Sequence, residues 1–488
     1  ERFVFRSGAA AVRFFNSVNS FPVNHTSRTF LLVLLAAVSL TASAAQPKFV
    51  KTAAKATCSV TTYDADGALL GSGQGFFLAD GQLLTSYDLF RSAATAVTVD
   101  AAGVSRPVGR IVGAHELYGV VRAIVPTDKK FVGLTADSVV VTAGERLCLL
   151  PPSTTKKGSV QWLQVTDAVA IADSCRYYTL TRCHDGSPTP PVSTLATAQP
   201  LFTADGRLAA MLQPVADGDT LFYALDTRFA TSLSIKALTL NEPSYRNLRY
   251  PKRVPEALDQ AQVYLFLASS MSDRDYVADI ISAFVEQYPT HYDGYLERYK
   301  MDIERQDYDA ADADGAQALA CATGKSDEVH YQLARGIFTT LAADSTFTRD
   351  GWTMERVVEE LKAAIDSVPL QSYYQELADV YAYNEKYRAA VGTLILMEQL
   401  EGFQGTEEFY YYREQLESRC RMYQQALDDI DRCVALRPTR AAYRLEKAVL
   451  NIRVGRPEVA RPLLEELMEE YPDDITCRNL YDTYCKEQ

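Results

Sequence analysis

The second half of the sequence repeats one pattern at intervals of about 34 residues, and this repetition constrains the fold more than any other feature. Ala390, Ala426 and Ala460 recur at close to this interval, and so do Pro438 and Pro472. Within each unit, apolar residues recur every three or four positions, as they do on one face of a helix. A unit of this length cannot bury its apolar face alone, so neighbouring units must stack. The pattern therefore predicts an array of helix pairs.

The clearest units resemble tetratricopeptide repeats. Their sequences are "YYQELADVYAYNEKYRAAVGTLIL", "FYYYREQLESRCRMYQQALDDIDRCVALRP" and "AAYRLEKAVLNIRVGRPEVARPLLEELMEEYP". Three looser units precede them, so we expect about six helix pairs in residues 258–488, closed by a capping helix in "DDITCRNLYDTYCKEQ". The resemblance implies an all-α solenoid with a concave face that binds a protein or peptide partner.

The first half, residues 46–245, has a different pattern. Short apolar runs alternate with turns that contain Gly and Asp, as in "CSVTTYDADGALLGSGQGFFLADGQLLTSYDLF". Asp-Gly pairs between β-rich runs are typical of hairpins. A series of such hairpins predicts an antiparallel barrel or sandwich.

Three segments of this half resemble the trypsin-like peptidases of the bacterial heat-shock protease branch. "GSGQGFFLADGQLLTSYDLFRSA" is similar to the segment that carries the histidine of the catalytic triad, and "GRIVGAHELYGVVRAIV" to the one that carries the aspartate. "TLATAQPLFTADGRLAAML" is similar to the serine segment. The resemblance implies a multidomain chain, with an N-terminal all-β trypsin-like double β-barrel followed by the all-α solenoid.

The chain departs from this family at each catalytic position. Asp88 occupies the histidine position, Gly119 the aspartate position and Gln199 the serine position, with Ala198 where the family has a glycine. Peptide hydrolysis of this type needs a hydroxyl or thiol activated by an oriented base. We therefore expect no catalytic residues in this domain. We also expect Asp88 at a surface turn, and Gln199 in a loop where its amide meets water or backbone groups.

A Gly-Ser-Pro sequence offers another nucleophile at Ser187, which follows His184 closely. Ser187 lies well upstream of Gln199, in a proline-rich loop. Proximity in sequence does not establish the geometry of a triad, so we interpret both residues as solvated loop residues. A serine peptidase with an atypical active site stays an alternative.

Residues 1–45 are expected to be a leader and signal peptide. Arg28 precedes an apolar run from Phe30 to about Leu40, and Ala42 and Ala44 form an A-x-A cleavage pattern. The run is short for a membrane span, so we expect none after signal cleavage. An exported protein, periplasmic or associated with the cell envelope, is expected. Proteins with this layout resemble ones found in Bacteroidetes-type bacteria.

Charge divides the chain in the same way as its patterns do. The net charge is −13, and residues 251–488 hold 26 basic and 44 acidic residues. An acidic chain argues against a nucleic-acid partner. If the acidic excess lies in the concave face, it favours a basic protein or peptide. A polar, proline-containing stretch predicts a linker at residues 246–257, between the two domains.

The nine cysteines leave several states open. Some could pair in an exported protein, but the odd number leaves at least one over. No C-x-x-C pattern occurs, so the sequence indicates neither a structural zinc site nor a redox motif. We expect no metal and no cofactor.

These observations favour a non-catalytic, exported interaction or scaffold protein. The triad positions carry no nucleophile, while the repeats imply protein or peptide binding. A subunit of a cell-envelope assembly is the second interpretation, and the atypical peptidase is the third.

Overall fold

A computed structural model describes residues 48–128, 131–136, 139–150, 160–172, 175–183, 197–214, 220–324 and 326–486. The predicted signal peptide lies outside these residues. The chain forms two compact units. The first contains the residues up to Ser234 together with Pro243–Tyr250, and the second contains Ile235–Glu242 together with the residues from Pro251 onward.

The first unit begins with helix α1 (Lys48–Ala56), which leads into a seven-stranded antiparallel sheet with the order β5-β4-β1-β2-β3-β7-β6. The turn between β1 and β2 forms because Asp64 Oδ1 accepts hydrogen bonds from the backbone N–H groups of Asp66 and Ala68. Gly67 takes the positive φ that this turn requires. The strands are β1 (Thr57–Tyr63), β2 (Leu69–Phe77), β3 (Gln82–Ser86), β4 (Thr95–Asp100), β5 (Ser105–Pro107), β6 (Ile111–His115) and β7 (Val120–Ile124).

The remaining six strands of this unit form a closed barrel with the order β10-β13-β12-β11-β8-β9. Closure gives each strand two neighbours and so removes free sheet edges. Alternate side chains such as Leu163, Val165, Tyr178 and Leu180 fill the barrel interior. The strands are β8 (Arg146–Leu149), β9 (Gln161–Ala172), β10 (Cys175–Arg182), β11 (Pro200–Phe202), β12 (Leu208–Leu212) and β13 (Phe222–Asp226), and α2 (Thr227–Ser232) follows.

A second core joins the sheet and the barrel. Phe76 and Leu84 of the sheet share this cluster with Phe202 and Met211 of the barrel. Helix α1 adds its buried face to the cluster, and the Phe49 ring lies 5.5 Å from that of Phe202. The two β layers are thus packed against one another by apolar side chains from both.

The second unit contains six consecutive helix pairs. Each second helix has a buried small or β-branched residue at its fourth position, including Ala390, Ala426 and Ala460. The pairs are α4 (Leu258–Ser269) with α5 (Arg274–Gln287), α6 (Tyr292–Glu304) with α7 (Tyr308–Cys321), α8 (Asp327–Ala343) with α9 (Met354–Ser367), α10 (Gln371–Tyr383) with α11 (Tyr387–Glu398), α12 (Glu407–Arg419) with α13 (Tyr423–Leu436), and α14 (Ala441–Arg453) with α15 (Pro457–Glu470). A short helix α16 (Ile475–Leu480) and a π-helical turn end the described array.

The predicted fold class is confirmed as a multidomain chain, with a β-rich region that includes a closed barrel followed by stacked helical repeats. One of the two β layers differs from the expected double barrel, because it is a seven-stranded sheet.

The stretch expected to be a linker, residues 246–257, contains several buried side chains among exposed ones. After helix α3 (Pro243–Arg246), Leu248 and Tyr250 are buried in the first unit. The Tyr250 hydroxyl donates to the Val108 carbonyl at 2.7 Å, and its ring meets Phe90 edge-on. Lys252 and Val254 are buried in the second unit. An earlier segment, Ile235–Glu242, also belongs to the second unit.

Candidate functional site

Asp88 lies at the surface, as expected. It belongs to a single 3₁₀ turn, Tyr87–Leu89, directly after β3. Its side chain is 71% exposed, and Oδ1 accepts a hydrogen bond from Arg91 at 3.2 Å. Arg91 also donates to Glu116 at 2.6 Å. Asp88 is therefore a solvated carboxylate paired with an arginine, and it is not oriented as a catalytic base.

Gly119 lies close to the Asp88 turn. It ends the turn between β6 and β7, and its carbonyl accepts the Tyr87 N–H at 3.0 Å. The φ of Gly119 is +55°, a conformation that L-residues rarely adopt. A Cβ placed on Gly119 would lie 3.3 Å from Gln213 Oε1. Gln213 therefore borders the space into which a side chain at this position would extend.

Gln199 lies in the loop before β11, as expected, but its amide is buried with only 5% of the residue exposed. Its Nε2 donates to Gln74 Oε1 in β2 at 2.8 Å. The expectation that this amide meets water or backbone groups was wrong, because a side chain from the sheet reaches it. Gln199 Oε1 and Gln213 Nε2 are buried without partners among the described residues.

Ala198 keeps a backbone shape that glycine favours. Its φ is +63°, and its N–H donates to the Leu212 carbonyl at 2.8 Å. The Leu212 N–H donates in turn to the Gln199 carbonyl at 2.8 Å. A non-glycine residue in this region is strained by about 1–2 kcal/mol. The reciprocal pair of hydrogen bonds with β12 holds the turn in place against that strain.

Backbone hydrogen bonds and one close approach relate the three predicted positions within the first unit. Asp88 adjoins Tyr87, which bonds to Gly119. Gly119 faces Gln213, which follows Leu212 at the end of β12, and Leu212 bonds to Gln199. The group contains one exposed carboxylate and two buried amides. An amide is neither a nucleophile nor a base at neutral pH, so these side chains provide hydrogen bonding rather than covalent chemistry.

His115 is the nearest histidine in sequence to these positions, and it has other contacts. Its Nδ1 accepts the Tyr118 N–H at 3.4 Å, and its ring packs against Tyr118 and Phe229. His184 and Ser187 lie outside the described residues.

The sequence did not indicate Gln74 or Gln213. Gln74 lies in the middle of "GSGQGFF", where only the glycines and phenylalanines were informative, and Gln213 follows a fully apolar strand. A polar residue next to a buried strand was the available signal, because such a residue needs a hydrogen-bonding partner.

Burial affects the reactivity of several cysteines. All nine are free thiols, and five of them are buried. Burial raises the pKa of Cys148 to about 12 and that of Cys477 to about 11. A thiol with a raised pKa is a poor nucleophile at neutral pH.

In the helical array, residues of α4, α5 and α6 line a cavity of about 270 Å³. Phe266 of α4 lies at its rim and is 75% exposed, while Val277 and Ile281 of α5 form an apolar floor. The charged residues around it are paired, because Arg274 donates to Glu304 and Lys300 donates to Glu297. The cavity therefore combines an apolar floor with a rim that is close to neutral.

Two arginines inside the array hold buried carboxylates. Arg298 forms a bidentate pair with Asp314 at 2.5 and 2.6 Å, and Arg413 forms one with Asp429 at 2.6 and 2.8 Å. In both cases the arginine is the seventh residue of a first helix and the aspartate is the seventh residue of the second. This repetition supports the description of the helix pairs as equivalent units.

No family model matches the chain, and no curated protein matches it at the required significance. Among solved structures, the array is similar to the crystal structure of YrrB, described as a TPR protein with an unusual peptide-binding site. That similarity covers 41% of this chain and 97% of the other at 13% identity, with a TM-score of 0.32. Within the described residues, no helix has the length and apolar character needed to cross a membrane.

Proposed function

We propose that the chain is a non-catalytic, exported interaction protein, with a trypsin-like domain that has lost its triad and a helical-repeat domain that binds a protein or peptide. One observation carries the proposal. The side chain at the serine position, Gln199, is a buried amide hydrogen-bonded to Gln74. Neither partner supplies a nucleophile, and the nearby Asp88 is solvated and paired with Arg91.

The proximity of the three positions supports the trypsin-like assignment. Asp88 and Gly119 come from the seven-stranded sheet, while Gln199 comes from the barrel, much later in the chain. Hydrogen bonds from Tyr87 to Gly119 and from Leu212 to Gln199, with Gln213 bordering the space beside Gly119, agree with former triad positions. The positive φ of Ala198 supports the same origin, because it fits a turn built for glycine.

The helical array supports the binding function. Its cavity between α4 and α6 can take one large apolar side chain of a partner, with Phe266 beside it. The acidic excess of residues 251–488 favours a basic partner. Burial raises the pKa of Glu376 and of Glu446, so a cationic group placed beside either carboxylate would stabilise its charge.

Export is proposed on the basis of the apolar run and the A-x-A pattern in residues 28–45. A periplasmic or envelope-associated location follows from it, and an obligate subunit of an envelope assembly is the second form of the same role. Fractionation of cells that express the full-length chain tests the location, because cytoplasmic recovery of an unprocessed chain contradicts it.

Two experiments test the function. Purified protein should not cleave casein or react with a fluorophosphonate, and labelling of Ser187 would instead support the atypical peptidase. For binding, tagged protein is used to recover partners from envelope extracts. Phe266→Ser should lower recovery of a specific partner, while Ile475→Ser, an equally exposed apolar position in α16, should leave recovery unchanged.

A further inference from the structure

Three of the six first helices have a buried polar residue at their eleventh position. These residues are Asp302 in α6, Glu417 in α12 and Asn451 in α14. The same three helices have a basic residue at the seventh position, one turn earlier, namely Arg298, Arg413 and Lys447. The repeats therefore allow a comparison of one buried position with three different side chains.

At Glu417 the neighbouring arginine is bonded to two other carboxylates. Arg413 donates through Nε and Nη2 to Asp429, and through Nη1 to Glu398 at 2.5 Å. Glu417 is only 3% exposed, and its Oε2 has no hydrogen-bond partner among the described residues. An ionised carboxylate in this position has no cation of its own, whereas a protonated carboxyl group is neutral and far less costly to bury.

The sixth pair shows what the position accommodates. Asn451 is buried there, and its Nδ2 donates to the Lys447 carbonyl at 2.8 Å. An amide is a neutral group that resembles a protonated carboxyl group in size and hydrogen bonding. The equivalent position thus accepts a neutral polar side chain without any counter-ion.

We propose that the fifth helix pair contains a buried proton-binding site at Glu417, and that loss of this proton loosens α12 against α13. The charged groups that surround the site come from four helices. They are Arg413 and Glu414 of α12, Asp428, Asp429 and Arg432 of α13, Glu398 of α11, and Glu446 and Arg453 of α14. The two residues of α14 interact with Glu414, which in turn interacts with Glu417.

The electrostatic surroundings agree with this role. Burial raises the pKa of Glu417 to about 8, and the charge of Asp429 raises it further than Arg413 can lower it. Burial likewise raises the pKa of Glu414 to about 7. The folded pair therefore binds a proton that the unfolded chain, with an ordinary glutamate pKa of 4.5, releases. The resulting stabilisation is complete below about pH 4.5 and is lost as the pH rises towards 8.

Hydrogen exchange of the full chain tests the site. Exchange rates of peptides from 407–436 are measured in the wild type and in Glu417→Gln at each pH from 5 to 8. The ratio of the wild-type rate to the variant rate cancels the intrinsic effect of pH on amide exchange. The ratio should rise by up to about tenfold per pH unit, because opening releases one proton. Glu401→Gln, which removes an exposed carboxylate just before α12, should show the same pH dependence as the wild type.

Two results overturn the proposal. The first is a ratio that stays constant across this range. The second concerns the wild type alone, and so applies even if Glu417→Gln does not fold. There, peptides from α12 should lose protection relative to peptides from α15, whose glutamates are all exposed, and equal pH dependence of the two helices excludes a proton at Glu417.

Discussion

The Gln199 amide donates to Gln74 Oε1 at 2.8 Å and so links the loop before β11 to the middle of β2. The two residues are 125 positions apart in sequence. The bond joins the buried amide of Gln199 to the half-buried amide of Gln74, at the position that the proposed trypsin-like origin assigns to the serine. It also means that the two β layers depend on Gln199 for a polar contact between them.

Placing histidine at residue 88 and serine at residue 199 should therefore destabilise the domain without producing peptidase activity. In Asp88→His with Gln199→Ser, the shorter serine leaves Gln74 Oε1 without its donor, at a cost of about 1–3 kcal/mol. Chemical denaturation measures the loss, and a peptidase assay should stay negative. Asp88→His alone is the control, with a change below about 1 kcal/mol, because its ion pair is exposed.

Restoring an aspartate at residue 119 should also be unfavourable. Gly119→Asp introduces a Cβ 3.3 Å from Gln213 Oε1 at a φ of +55°. We expect a loss of about 1–3 kcal/mol from backbone strain and crowding together. The double variant Gly119→Asp with Gln213→Ala should recover only the part of this stability loss that comes from crowding. If the two single effects simply add, Gln213 does not restrict this position.

Ala198→Gly should stabilise the protein, although a glycine usually has the opposite effect. The φ of +63° costs alanine about 1–2 kcal/mol, while the greater freedom of glycine in the unfolded chain removes about 0.4–1 kcal/mol of the gain. We expect a net gain of up to about 1 kcal/mol in thermal or chemical unfolding. Ala210→Gly, in the regular strand β12, should destabilise.

The buried arginine pairs should matter far more than the exposed ones. Arg413→Ala removes the bidentate partner of the buried Asp429 and leaves Asp429 and Glu398 with the half-exposed Arg432 alone, so a loss of about 3–5 kcal/mol is expected. Arg274→Ala, which removes an exposed pair with Glu304, should cost below about 1 kcal/mol. Unfolding of the two variants in parallel gives the comparison, and similar losses would contradict this ranking.

Residues 246–257 should resist proteases, although the sequence suggested an accessible linker. Arg246 and Arg249 are exposed, but the backbone around them is held by Leu248 and Tyr250. Trypsin should cleave there slowly in the wild type and rapidly in Tyr250→Ser, which removes both the ring contact with Phe90 and the bond to Val108. Rapid cleavage of the wild type would restore the linker interpretation.

The features that could be predicted from sequence are those with a local period. Alternating strands, Asp-Gly turns and regularly repeated helix pairs are set by neighbours in the chain, so their type and order are readable. The Gln74–Gln199 bond and the contact of Gly119 with Gln213 join positions that are far apart in the chain, and no local pattern indicates them. The contacts of Tyr250 could not be predicted for a related reason, since its partners Phe90 and Val108 lie far upstream in the sequence.

The crossing of the chain between the units has a consequence for fragments of this protein. Because Ile235–Glu242 belongs to the second unit and Pro243–Tyr250 to the first, no single cut yields both units whole. A fragment that stops at Ser234 lacks Tyr245 and Tyr250, and one that starts at Pro251 lacks the Ala237 N–H that donates to Gln260. Separate expression of either unit as one continuous fragment therefore needs a boundary that retains some residues of the other unit.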